Sequence, residues 1–368
     1  MKVKVPEYIA GLEPYVPGKP IEELEREYGI SGSIKLASNE NPIGPSPKAV
    51  EAIMGALKNL HRYPDGNSFR LVQGLAEKLK VSSNQIVLGN GSNEIIELLV
   101  RTFLQKDDAV IMPAASFLMY EIMVQASGAK PVKVPLKDRV VDLEGMAERI
   151  SADTRMIFVN NPNNPTGTIV SKSALEDFLE RVPREVILVM DEAYIEFVRD
   201  KACPTGLGYL DGNKTVVTLR TFSKAYGLAG LRIGYGVMRK ELAGLIHRVR
   251  QPFNTNSLAQ IGALAALNDD AFFTETLGLV HEGLDFLYEQ IDIMGLRYFP
   301  SQTNFFLIDV QQDANEVFEK MLGMGVIVRP MAAYGYPACI RVNVGLPEEN
   351  RRFIETLKEA LSGTKNQV

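Results

Sequence analysis

Six short runs of nearly unbroken apolar, β-rich residues, at 85–88, 109–112, 156–160, 186–190, 215–219 and 233–237, dominate the middle of the chain. A strand of this kind has no polar face to turn to water, so the sheet it joins must be covered on both sides. The stretches between the runs carry helical periodicity. At 93–103, Ile95, Leu98, Leu99, Thr102 and Phe103 recur on one face. Strands alternating with helices predict an α/β fold whose mainly parallel sheet lies between helical layers. Ligands of such sheets sit beyond the carboxyl ends of the strands, which is where the chemistry is to be sought.

Either side of this block the pattern changes. The first 40 residues contain Pro6, Pro14, Pro17 and Pro20 around one short charged helix, 21–28, and read as an arm. After Pro252, helices at 257–267 and 275–294, strands at 304–309, 326–329 and 340–344, and a closing helix predict a smaller α/β domain. With 368 residues, two domains are expected: an arm over 1–35, a large domain over 36–255 and a small C-terminal domain over 256–368. A net charge of −5 leaves no basic excess for nucleic-acid phosphates. No segment has the roughly 20 apolar residues of a membrane span, and the N-terminus lacks the apolar core of a secretory signal. The two cysteines, Cys203 and Cys339, are far apart and predict no disulfide framework, which fits a reducing cytoplasm. None of the three histidines, His61, His247 and His281, is spaced three or four residues from another, so no metal site is expected.

Four strand ends carry the candidate chemistry. In EVILVMDEAY (185–194) an apolar strand delivers Asp191 to its carboxyl end; it either caps the next helix or presents a carboxylate to a cationic heterocycle, with Tyr194 three residues on. In TVVTLRTFSKAYGLAGLRIGYG (215–236) a loop carries Thr221, Ser223 and Lys224, Gly227 and Gly230 allow close backbone approach, and Arg232 opens the next strand. Two hydroxyls and an arginine can hold a phosphate, and a lysine beside a phosphate and a carboxylate suits Schiff-base chemistry. In NQIVLGNGSNEIIELLVRTF (84–103), Gly89, Gly91, Ser92 and Asn93 form either a plain tight turn or an anion cradle at a helix N-terminus. The turn is neither G-x-G-x-x-G nor a P-loop, so a nucleotide module is the weaker alternative. In NNPNNPTGTIV (160–170), Asn163 or Asn164 either braces the turn or faces the pocket.

The succession GNGSNE, NNPNNPTG, DEAY, TFSKAYGLAGLR and IRVNVG makes nearly the whole chain resemble the fold-type-I aminotransferases, enzymes dependent on pyridoxal 5'-phosphate. Within them LASNENPIGPSP (36–47), HRYPDG (61–66) and GSNEIIELLVRTF (91–103) are similar to the histidinol-phosphate aminotransferase family. The resemblance implies that the large domain holds the cofactor through Lys224 as a Schiff base, with Asp191 on the pyridine nitrogen and Tyr194 and Asn164 on the phenolic oxygen. Ser92, Asn93, Thr221, Ser223 and Arg232 would hold its phosphate, joined by Tyr63 from a second subunit, which makes a homodimer with shared active sites part of the expectation. Phe117 falls where many members stack a tyrosine, and Asn93 where an aspartate is common. Tyr15, Asn39, Arg329 and Arg341 match substrate contacts, and two arginines suit a dianionic phosphate better than one carboxylate.

The implied substrates are a phosphorylated amino alcohol and a 2-oxo acid. The implied reaction converts L-histidinol phosphate and 2-oxoglutarate to imidazole-acetol phosphate and L-glutamate. An aromatic amino-acid aminotransferase and a threonine-phosphate decarboxylase-like lyase are the alternatives within the fold. For Lys224 to act as a base its pKa must be lowered, by burial and by neighbouring cations such as Arg232.

Overall fold

The computed structural model describes residues 3–15 and 18–362. The chain enters through helices α1 (Glu7–Ala10) and α2 (Ile21–Tyr28), the short strand β1 (Ile34–Lys35), α3 (Pro47–Ala56) and α4 (Phe69–Leu79). The central block then runs β2 (Ile86–Gly89), α5 (Gly91–Phe103), β3 (Ala109–Pro113), α6 (Met119–Ala126), β4 (Lys130–Val134), α7 (Leu143–Ala147), β5 (Thr154–Asn160), α8 (Lys172–Arg181), β6 (Ile187–Asp191), β7 (Thr215–Thr221) and β8 (Gly234–Val237). Helices α9 (Lys240–Val249), α10 (Ser257–Leu267) and α11 (Asp270–Ile293) lead to β9 (Arg297–Phe299), β10 (Phe305–Asp309), α12 (Ala314–Gly323), β11 (Val326–Ile327), β12 (Arg329–Met331), β13 (Tyr336–Asn343) and α13 (Pro347–Ser362).

Seven strands form the main sheet in the order β2-β8-β7-β6-β5-β3-β4. Only β8 runs against its neighbours; the pairs from β7 to β4 are parallel. The period-2 geometry of a strand sends alternate residues to opposite faces. Met156 and Phe158 join Ile95, Leu99 and Val189 on one face, while Ile157 and Val159 join Leu175, Phe178 and Leu188 on the other. Each such aliphatic or aromatic side chain contributes about 1.5–3 kcal/mol on burial, which explains why all six expected runs are strands to within two residues. Strand β4 escapes the apolar-run criterion. Its sequence KPVKV carries two lysines and a proline, as suits an edge strand partly open to water.

A second, antiparallel sheet, β12-β13-β10-β9, is covered by α11, α12 and α13 through Leu284, Leu287, Val317, Met321, Phe353 and Leu357. The run expected as one strand at 326–329 divides. Val326 and Ile327 pair in parallel with Ile34 and Lys35, while Arg329 begins the edge strand of the second sheet. Leu24 of α2 packs with Leu322 and Ile327, so the arm is built into the C-terminal body from residue 21 onward. Ala259, Ala263 and Ala266 of α10 are buried with Leu71, Leu75 and Ile86. A division at 255/256 would strip α10 from that core; on packing grounds we propose that it falls after Leu267.

The loop after β7 depends on one glycine. Gly227 has φ +67°, and a Cβ there would overlap the Gly44 carbonyl oxygen, whereas a Cβ at Gly230 meets nothing within 4 Å. The close approach expected of both glycines therefore belongs to Gly227 alone. A left-handed φ costs other residues about 1–2 kcal/mol, and overpacking adds about 1–3 kcal/mol. Gly227→Ala is accordingly expected to lower the melting temperature by several degrees while Gly230→Ala leaves it nearly unchanged. Equal shifts in thermal denaturation would contradict this account of the loop.

Candidate active site

Parallel register sets the site. Asn160 at the end of β5 lies opposite Asp191 at the end of β6, and Asp191 lies opposite Leu219 of β7, whose strand ends at Thr221. The three carboxyl ends open into one cavity of about 250 Å³. Its walls bring together Ser92, Asn93, Phe117, Asn164, Asp191, Tyr194, Thr221, Ser223, Lys224 and Arg232 with Tyr15, Asn39, Arg329 and Arg341. Of the cofactor and substrate contacts that the resemblance implied, Tyr63 alone is not part of this wall. It stands on the surface, 83% exposed, stacked on Phe253 at 4.8 Å.

Asp191 is buried, and both its oxygens are engaged: the Tyr120 hydroxyl donates to Oδ2 at 2.6 Å and the Ala193 amide to Oδ1 at 3.2 Å. The neighbouring turn is thus held by one weak contact, and the carboxylate faces the cavity rather than capping a helix. Burial pushes its pKa up to about 6, against the pull of those two hydrogen bonds.

Lys224 Nζ donates to the Ser38 carbonyl oxygen at 3.0 Å. Burial and then the Arg341 guanidinium push its amine down to about 8, Glu40 opposes them, and Arg232 acts more weakly. Arg232 was the neighbouring cation named from the sequence; in the structure Arg341, which the fold brings over from β13, has the larger influence. Arg341 itself donates to Asn164 Oδ1 and to the Ala37 carbonyl at 2.8 Å. The Tyr194 hydroxyl accepts from Asn39 Nδ2 at 2.9 Å and from Asn164 Nδ2 at 3.4 Å. The two asparagines of the 160–170 turn therefore separate in role. Asn163 is buried among Ser116, Ala115 and Thr166, whereas Asn164 faces the cavity.

On the opposite wall, α5 begins at Gly91, so the amides of its first turn have no acceptor within the helix. Gly91 has φ +71°, and a Cβ there would come within 2.8 Å of Arg232 Nη2. At Gly234 a Cβ would approach Ser92 N to 2.5 Å, so this glycine, absent from the sequence reasoning, sets how close β8 comes to the helix start. Arg232 Nη1 reaches Ser223 Oγ at 3.4 Å, and the Thr221 hydroxyl accepts from the Ser223 amide at 3.1 Å. Amides, hydroxyls and a guanidinium converge here as an anion cradle. Because it shares the cavity with Lys224, the 89–93 turn is not a separate nucleotide module. No cluster suited to a metal ion occurs among the described residues.

The sequence profile of the aminotransferase class I and II family matches residues 31–357. The chain belongs to the class I and II aminotransferases. Among its relatives, the histidinol-phosphate aminotransferase of Desulfotalea psychrophila is 50% identical over 364 residues, covering 98% of this chain and 96% of its own length. That of Moorella thermoacetica is 46% identical, covering 98% and 93%. The solved structure of histidinol-phosphate aminotransferase from Sinorhizobium meliloti, in complex with pyridoxal-5'-phosphate, superposes with a TM-score of 0.91 at 27% identity over 99% of both chains. The fold is thus that of the fold-type-I aminotransferases, as the resemblance implied.

For an aminotransferase, several residues of this site are poorly marked in the sequence. Asn160 donates from Nδ2 to the Asp191 carbonyl and accepts the Asn164 amide at Oδ1. Asn343 Oδ1 accepts the Asn39 amide at 3.0 Å. Tyr120 follows Phe117 by three residues, but Phe117 precedes α6 and Tyr120 lies within its first turn, so no helical spacing in the sequence links them.

An ordinary lysine amine titrates near 10.4. In cofactor-free protein, labelling of Lys224 by an amine reagent, followed by peptide mapping, is expected to rise with pH around a midpoint near 8. Only the neutral amine reacts, and removing a nearby cation stabilises the ammonium. Arg341→Gln should therefore move the midpoint to higher pH; an unmoved midpoint would contradict the role assigned to Arg341.

Proposed function

We propose that this aminotransferase uses pyridoxal 5'-phosphate to transfer the amino group of L-histidinol phosphate to 2-oxoglutarate, giving imidazole-acetol phosphate and L-glutamate in histidine biosynthesis. One observation carries the reading: Lys224, Asp191, Arg329 and Arg341 meet in a single cavity of a chain half identical, over nearly its whole length, to a histidinol-phosphate aminotransferase.

The residues present fit the cofactor. The space left open by the missing Cβ of Gly91, beside Arg232 Nη2 and the first amides of α5, suits a phosphate. A buried carboxylate whose pKa has risen is stabilised by a cationic partner, and the cofactor's protonated pyridine nitrogen would supply one to Asp191. When bound, pyridoxal phosphate supplies an aldehyde with which amines condense and a protonated ring that draws electrons from the bonds at the amine's α carbon.

Ser92, Asn93, Thr221, Ser223 and Arg232 would hold the phosphate, Phe117 would lie against the ring, and Tyr194 and Asn164 would hydrogen-bond the phenolic oxygen. Lys224 Nζ would anchor the cofactor and, as a free amine, take the proton from the donor's Cα and deliver it to the carbon that carried the cofactor's aldehyde. Held near 8, the free amine is neutral often enough near neutral pH to act as a base. Arg329 and Arg341, with Tyr15 and Asn39, line the side where the donor's phosphate and the acceptor's carboxylate would bind in turn.

A second copy of the chain belongs to this reading. Met54, Leu57, Leu60, Tyr63, Phe69 and Phe253 are exposed apolar residues concentrated in and beside one segment, the kind of surface that marks a protein contact. Tyr63 extends from it without a role in its own chain's cavity. A reducing compartment is also inferred, supported by the free thiols of Cys203 and Cys339.

Lys224→Ala is expected to lose steady turnover by at least about 10³-fold with unchanged circular dichroism. Histidinol phosphate should exceed phenylalanine as donor by about 10²-fold or more in kcat/KM, since charge-assisted hydrogen bonds contribute about 1.5–3 kcal/mol each. Near-normal turnover of Lys224→Ala would overturn the transaminase site. A preference for phenylalanine would overturn the substrate alone.

A further inference from the structure

Asp191 is not the end of its own network. Tyr120, on α6, is 1% exposed and donates a 2.6 Å hydrogen bond to Asp191 Oδ2. Its ring is stacked on Phe158 of β5, with centroids 4.5 Å apart and planes 8° from parallel. It also meets the edge of Phe117 at 5.6 Å, and Phe117 lines the cavity. The phenol is therefore fixed from two sides and can turn its hydroxyl to few partners. Such a short bond from a neutral donor to a carboxylate is the strong, charge-assisted kind. It has no part in the phosphate cradle, the lysine loop or the guanidinium side of the site.

We propose that Tyr120 is a positioning residue for the Asp191 carboxylate: it keeps that group an anion of restrained basicity in one orientation, so that the proton shared with the cofactor's ring stays on the ring nitrogen. The proposal rests on the reading that Asp191 serves that nitrogen. A hydrogen bond donated to the ionised form favours ionisation and makes the carboxylate a weaker base. Without the hydroxyl, more charge remains on Asp191. It would neutralise the ring more completely or draw the proton toward itself, and the ring would withdraw fewer electrons from the reacting bonds.

The groups that face Asp191 limit the alternatives. Glu192, its neighbour in sequence, is committed to Arg220, which donates to Glu192 Oε2 from Nε at 3.0 Å and Nη2 at 2.8 Å. The Tyr194 hydroxyl accepts from Asn39 and Asn164, and Lys224 and Arg232 lie on the loop after β7 across the cavity. The Ala193 amide donates to Oδ1 at 3.2 Å. Tyr120 is thus the side-chain donor to this carboxylate among the described residues. Burial raises Asp191, and the Tyr120 bond is the largest opposing influence.

The test is Tyr120→Phe, which keeps the stacked ring and removes one oxygen, measured in the purified holoenzyme. The first readout is the pH midpoint of the bound cofactor's visible absorption band. A less positive ring disfavours release of the proton on the chromophore's imine nitrogen, so the midpoint is expected to rise by about half to one pH unit. The second is an infrared titration of cofactor-free protein, in which the Asp191 carboxyl, identified by its loss in Asp191→Asn, should titrate about one unit higher in Tyr120→Phe. The third places Tyr120→Phe in the Asp191→Asn background, where the midpoint should no longer respond to the tyrosine.

An unshifted midpoint and carboxyl titration in Tyr120→Phe, with Asp191→Asn still moving the midpoint, would overturn the role of Tyr120 and leave that of Asp191 standing. Failure of Asp191→Asn to move the midpoint would instead overturn the reading of Asp191. A shift of the same size in both backgrounds would show that the tyrosine acts on packing and would also overturn the proposal.

Discussion

The site exists because three parallel strands end in register. Asn160, Asp191 and Thr221 come from segments with no sequence relation to each other, and their meeting is set by the hydrogen-bonding of β5, β6 and β7. Beside that edge lies the Glu192–Arg220 pair, with the carboxylate fully buried and further hydrogen-bonded by Thr205 and the Gly206 amide. A buried pair of this kind adds little net stability, yet removing one partner leaves a charge stranded in the interior. Its effect here is to hold the end of β7 against the end of β6, one residue from Asp191 on one side and one from Thr221 on the other.

Electrostatically the cavity is divided. Guanidinium groups, amides and hydroxyls ring it, and Asp191 supplies the carboxylate at its floor, with Glu40 nearer the lysine. Such a field favours anions and destabilises an ammonium in the middle. On the proposed reading, the charges that would bind the phosphates also prepare the base. Arg341 unites the two effects, since it lowers the Lys224 amine and lies on the side assigned to the substrate's anion. An anion seated on Arg341 would partly cancel its positive field, so occupancy at that end bears on the proton affinity of Lys224.

Much of this was legible in the sequence because it is local. The strands declare themselves where both faces are buried, and the cradle where glycine, serine and asparagine open a helix. Lys224, Ser223 and Arg232 stand within one motif, so their association needs no knowledge of tertiary structure. What was not legible depends on distant packing. Strand β4 is an edge, and its text, broken by two lysines, lacks the apolar signature. Helix α10 follows the change of pattern at Pro252, and the packing of its Ala259 and Ala263 with Leu71 and Leu75 is not visible in the text. The influence of Arg341 on Lys224 crosses from one sheet to the other, and Tyr120 is indistinguishable in sequence from any tyrosine on a buried helix face. Gly230 shows the converse error, because a glycine beside a functional loop does not by itself imply a close approach.

The pairing of Ile34 and Lys35 with Val326 and Ile327 has a consequence for how the chain folds. The partners lie far apart in sequence, as do Asn39 and Asn343, which are separated by 304 positions. Contacts of such separation form late and slowly. The central sheet can close around its helices without them, but its ligand cavity cannot. Ala37, Ser38 and Asn39 reach their places only once the C-terminal body has folded around them, so a cavity competent to bind requires both bodies to be folded.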